Sequence, residues 1–87
     1  MTLHILSQPP SHSAFKQCLA ARAQGAPLVL IGDGVYCAAT LDAKQLQNTY
    51  ALLDDCKARG LTPNIETIDY PLFVELTCQH NPIQTWY

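Results

Sequence analysis

Pro27-Leu28-Val29-Leu30-Ile31-Gly32-Asp33-Gly34 is the stretch that decides the fold class. A strand with one face in water alternates apolar and polar residues. An unbroken run such as Leu28–Ile31 suits a strand buried on both faces, and such strands belong to parallel sheets whose crossover helices lie above and below. Gly32-Asp33-Gly34 then lets the chain turn tightly into Val35-Tyr36-Cys37-Ala38-Ala39, read as a short helix.

Working toward the amino terminus, Leu3-His4-Ile5-Leu6 reads as a strand that stops at Gln8-Pro9-Pro10, because proline cannot donate to a ladder. Ser11 or Ser13 is the expected cap of a helix over about residues 14–23, where Phe15, Cys18, Leu19 and Arg22 recur at helical spacing and Gly25 marks the stop. Toward the carboxyl terminus, residues 42–48 are polar and read as a surface connection, and Tyr50-Ala51-Leu52-Leu53 is the third strand. Asp54 or Asp55 is the expected cap of a short helix Cys56-Lys57-Ala58-Arg59 closed by Gly60. Ile65-Glu66-Thr67-Ile68-Asp69 reads as a fourth strand with its isoleucines alternating. Pro71 opens a helix that runs to Cys78, and Pro82-Ile83-Gln84-Thr85-Trp86-Tyr87 reads as a last short strand. The alternation predicts an α/β fold: one domain over residues 1–87, with a small, open, mainly parallel sheet of four to five strands and helices on both faces.

Composition narrows the function classes. Eighty-seven residues hold one hydrophobic core, and the chain is 48% apolar but only 14% charged. That charge content is well below the roughly 25% of an average domain, so part of the surface is expected to be covered by other subunits. Lys16, Arg22, Lys44, Lys57 and Arg59 are scattered and the net charge is −2, which argues against direct nucleic-acid binding. The opening Met1–Leu6 carries no positive region and its apolar run breaks at Ser7-Gln8-Pro9-Pro10, so neither a signal peptide nor a membrane span is expected, and the expected address is the cytoplasm. Cys18, Cys37, Cys56 and Cys78 form no C-x-x-C pair, which leaves a zinc site or a thioredoxin-type motif without support and predicts four free thiols.

Several phrases, taken in order, resemble the TusB/DsrH family of DsrE-like sulfur-relay proteins. They are Leu3-His4-Ile5-Leu6-Ser7-Gln8-Pro9, Leu28-Val29-Leu30-Ile31-Gly32-Asp33-Gly34-Val35-Tyr36, Ala58-Arg59-Gly60-Leu61, Ile68-Asp69-Tyr70, Phe73-Val74-Glu75-Leu76-Thr77 and Trp86. The resemblance implies a DsrE-like fold and a B-type, mainly structural subunit of a cytoplasmic heterohexamer with TusC-like and TusD-like partners. It further implies exchange of persulfide sulfur with TusA-like and TusE-like carriers, toward 2-thiolation of the wobble uridine of tRNA or, in the Dsr branch, toward sulfur oxidation. No cofactor is implied. DsrH-like members carry a cysteine in the first helix, and Cys18 stands at that position, so Cys18 is the candidate persulfide carrier under the alternative reading.

Sulfur relay needs an accessible thiolate, which helix N-termini and cations favour and apolar burial opposes. Cys18 shares a stripe with Phe15 and Leu19, which also fits a small buried hydrophobe. Cys37 follows the Gly-Asp-Gly turn at a strand's carboxyl end, where the opening of a helix would favour a thiolate. Asp54 and Asp55 oppose a thiolate at Cys56, and a helix end opposes one at Cys78. Gly32-Asp33-Gly34 lacks the spacing of a phosphate cradle and reads as a turn. His4, His12 and His80 have no metal-ligand spacing, and His4 is expected to be satisfied locally within its strand. Trp86 and Tyr87, with Tyr36, Tyr50 and Tyr70, fit either interface anchors or covers for the domain's own core.

Overall fold

The computed structural model describes residues 1–86, and Tyr87, the last residue of the expected final strand, lies outside them. Strands β1 (Leu3–Leu6), β2 (Leu28–Leu30), β3 (Thr49–Leu52), β4 (Glu66–Ile68) and β5 (Ile83–Trp86) form one sheet in the order β4-β3-β2-β1-β5. All four pairings are parallel, so the expected sheet class is realised in full. The helices are α1 (Ser13–Ala21), α2 (Leu53–Ala58) and α3 (Tyr70–Gln79), and a 3-10 helix spans Gly32–Thr40.

The order of the strands explains where the helices go. The chain steps outward from β1 through β2 and β3 to β4, then returns past β1 to add β5 on the opposite edge. Parallel crossovers are right-handed, so α1, the 3-10 helix and α2 share one face, and reversing direction sends α3 to the other. The first face holds Leu6, Ala14, Cys18, Leu28, Leu30, Val35, Cys37, Ala38, Ala51 and Cys56. The second holds Leu3, Ile5, Val29, Leu52 and Ile68, covered by Phe73 and Leu76 of α3. Leu28 and Leu30 point to one layer and Val29 to the other, which is why the run that decided the fold class has no polar member.

Several local expectations are corrected. Neither Ser11 nor Ser13 caps α1: the Nδ1 atom of His12 accepts from the Ala14 N–H at 3.0 Å. The short helix expected over residues 35–39 is present but longer, a nine-residue 3-10 helix that starts at Gly32. Close contact with β1 accompanies its tight start, since a β-carbon on Gly34 would sit against the Leu6 carbonyl group, 2.9 Å from its carbon. Leu53 starts α2 instead of ending β3, and the aspartates do not cap this helix, because they lie in its first turn and Leu52 is the N-cap residue. Asp69 caps α3 through a 3.0 Å bond from the Leu72 N–H, with proline in the first turn as its sequence suggests.

Two cations fix the connections. The Arg22 guanidinium donates to the carbonyls of Ala26, Gln45 and Gln47 at 2.8, 2.8 and 2.6 Å, which ties the end of α1 to the polar 42–48 segment. Arg59 pairs with Asp33 at 3.0 Å, and Asp55 accepts from the Gly32 N–H at 2.8 Å, so α2 holds the Gly-Asp-Gly turn from both ends.

Candidate functional site

The four cysteines are free, as expected, and three of them are buried. Cys18 lies on the inner side of α1 with 0% exposure, and burial pushes its thiol up to about 11, with Arg22 opposing only part of the rise. Cys37 is equally enclosed. Its thiol is pushed up to about 12 by burial first and by the neighbouring Cys18 second, and its Sγ donates to the Gln8 carbonyl at 3.4 Å. The electrostatic advantage expected of Cys37 at a helix opening is therefore not realised, because the 3-10 helix begins five residues earlier, at Gly32, and turns the thiol inward. Cys56 is raised by burial and then by Asp55, the direction its aspartates suggested. Cys78 is exposed near the end of α3.

The Gly-Asp-Gly turn is closed by its own protein. The Gly32 N–H is taken by Asp55, the Gly34 N–H by the Ile31 carbonyl at 2.8 Å, and the Asp33 carboxylate by Arg59. Beside it, Val35, Tyr36, Ala38, Leu61 and Pro63 line an open, mainly apolar groove of about 360 Å³. Among the described residues no three acidic, histidine or cysteine side chains converge as a metal site.

Open parallel sheets bind ligands where the strand order reverses, and here that point lies between β1 and β5. The crevice is stitched shut: both the N–H and the Oγ of Ser7 donate to the Trp86 carbonyl at 3.3 Å. Two register positions back from Leu6, the β1 partner of Trp86, His4 stacks on the Trp86 ring with centroids 6.2 Å apart, and the indole Nε1–H donates to His4 Nδ1 at 3.2 Å. His4 is thus satisfied across 82 residues of sequence, not within its own strand as expected. Trp86 packs on the core, which realises the core-covering alternative for this residue.

The outer side of α3 is the feature the sequence reading missed. No residue of this helix is fully buried: Phe73 and Leu76 touch the sheet, while Tyr70, Leu72 and Val74 stand 52%, 38% and 55% exposed. Ile83, 43% exposed, begins the adjoining edge strand β5. The signal was present in Tyr70-Pro71-Leu72-Phe73-Val74-Glu75-Leu76, which is apolar on nearly every side, and a helix apolar all round is one that something covers.

A family model described as "DsrH like protein" matches residues 8–83. The chain belongs to the DsrH-like family. Full-length relatives agree. Protein TusB of Serratia proteamaculans is 37% identical and protein TusB of Pectobacterium parmentieri 35% identical, each over 97% of this chain and 99% of the relative. Protein TusB of an Escherichia coli O81 strain is 36% identical over the same shares. The solution NMR structure of protein Tm0979 from Thermotoga maritima superimposes with a TM-score of 0.72 at 25% identity, covering 92% of this chain and 94% of that one. This DsrH-like chain is accordingly a sulfur-relay subunit with the parallel α/β sheet expected from its sequence. No helix among its described residues is long and apolar enough to cross a membrane.

Proposed function

We propose that the chain is a B-type, non-catalytic subunit of a cytoplasmic persulfide-relay complex that supports 2-thiolation of the wobble uridine of tRNA. Its partners in this reading are TusC-like and TusD-like subunits in a heterohexamer, served by TusA-like and TusE-like carriers. The observation that carries the reading is a contrast between thiols and surface. Cys18, Cys37 and Cys56 are enclosed, and the first two are raised to about 11 and 12, while Tyr70, Leu72 and Val74 stay uncovered on α3. A carrier must show its outer sulfur to the next protein, and a scaffold must show an apolar face to its neighbours. The chain offers the second.

The alternative, a direct persulfide carrier through Cys18, draws support from the DsrH description of the matching family and from the place of Cys18 on α1. One experiment separates the two. The purified chain is incubated with a protein persulfide donor and weighed, then co-expressed with C- and D-type subunits. In a carrier, the Cys18 thiolate attacks the outer persulfide sulfur, the donor leaves as its thiolate, and the chain gains about 32 Da, one sulfur atom. The scaffold reading expects no such adduct and stable co-purification with both subunits. An adduct abolished by Cys18→Ser would replace it with the carrier reading, and failure to co-purify would overturn it.

A further inference from the structure

We propose that His4 and Trp86 form an acid-sensitive latch that holds the carboxyl-terminal strand β5 on the edge of the sheet.

The observations are geometric. β5 is an edge strand whose ladder partner among the described residues is β1, in the register Leu3–Ile83, His4–Gln84, Ile5–Thr85 and Leu6–Trp86. Ile83 and Gln84 are exposed, so apolar burial holds this strand weakly along its first half. Its anchor is Trp86, through the stacked His4 ring, the indole bond to Nδ1 and the Ser7 bonds to its carbonyl. His4 itself is 4% exposed.

The chemistry of the bond makes it conditional. To accept from the indole, Nδ1 must be unprotonated, so the ring is neutral with its proton on Nε2. Protonation turns Nδ1 into a donor facing a donor: the bond is lost and a buried cation appears beside the core. Among the described residues, the charge that acts on the ring has the wrong sign to rescue that cation. α1 presents the Cys18 thiol, and the Arg22 guanidinium at its cap repels a second positive charge. The described residues of β2 and β5 are all uncharged. Burial first and Arg22 second hold the His4 ring below its ordinary 6.5. With the folded value lowered, the neutral form's contribution is complete above about 6.5 and is lost as pH falls from there toward the folded value.

Trp86 is the chain's only tryptophan, so its emission reports the latch directly. The test is a titration of the full chain from pH 7.5 to 4.5, followed by tryptophan fluorescence and by amide hydrogen exchange corrected for intrinsic rates. The expected result is one emission transition with a midpoint below 6.5. In the same window, protection of the β5 amides falls by up to about tenfold per pH unit while β2 and β3 stay protected. His4→Gln, which keeps an acceptor but does not titrate, is expected to abolish both changes, and His12→Asn, which keeps the cap of α1, to leave them. Should His4→Gln fail to fold, NMR of the wild-type chain decides: the His4 ring protons and the Trp86 indole proton are expected to titrate with one midpoint. A flat emission profile, a transition that survives His4→Gln, unlinked NMR midpoints, or loss of protection across the whole sheet at once would each overturn the latch.

Discussion

Val74→Glu is the substitution that bears hardest on the scaffold reading. Val74 stands 55% exposed in the middle of α3, on the side away from Phe73 and Leu76, so the isolated chain has little to lose there. Glutamate is at least as good a helix former as valine, and surface substitutions of this kind change stability by about 0.5 kcal/mol or less. Within an assembly the same position behaves differently. Burying the remaining valine surface contributes about 1 kcal/mol, and a carboxylate desolvated without a partner adds a penalty of about 2 kcal/mol or more. A total near 3 kcal/mol corresponds to roughly a hundredfold weaker association. The expected pattern is an unchanged urea midpoint for the chain alone, together with loss of co-purification and a subunit-sized species in analytical ultracentrifugation of the mixture. Glu66→Gln, at an exposed position on the far edge of the sheet, serves as the surface control. If Val74→Glu assembles with C- and D-type subunits as tightly as the parent chain, α3 is not the docking face and the scaffold reading loses its physical basis.

Three further outcomes follow from the same geometry. At pH 8 a thiol reagent is expected to label Cys78 quickly and the other three thiols only on unfolding, because values of about 11 and 12 leave roughly one in a thousand Cys18 and one in ten thousand Cys37 side chains ionised even before access is considered. Two fast-reacting thiols in native protein would contradict the buried arrangement. Gly34→Ala is expected to destabilise the chain by about 2 kcal/mol, a collision with the Leu6 carbonyl group near 3 kcal/mol less up to about 1 kcal/mol regained from a stiffer unfolded chain. Denaturant melts read this directly, and a loss under about 0.5 kcal/mol would contradict the close approach. Arg22→Ala is expected to cost about 2–4 kcal/mol by thermal or urea melting, since three carbonyls lose a charged donor at once, and Arg22→Lys is expected to recover only part of it.

The amino-acid sequence by itself determined the layers. Leu28–Ile31 required a strand buried on both faces, and the spacing of apolar residues around it set four to five strands alternating with helices. These are local facts of periodicity and backbone chemistry, written in contiguous residues. The tertiary structure alone decided which groups meet. His12 rather than a serine caps α1, Arg22 binds three carbonyls beyond its own helix, Cys37 turns inward, and His4 finds its partner 82 residues away. Each of these depends on where a crossover lands, and the reversal of direction after β4 sets both the β1–β5 seam and the placement of α3 alone on its face. A side chain's type records what it can bond, but only the path of the chain through space brings the bonding atoms within 3 Å of one another or leaves an apolar surface waiting for cover.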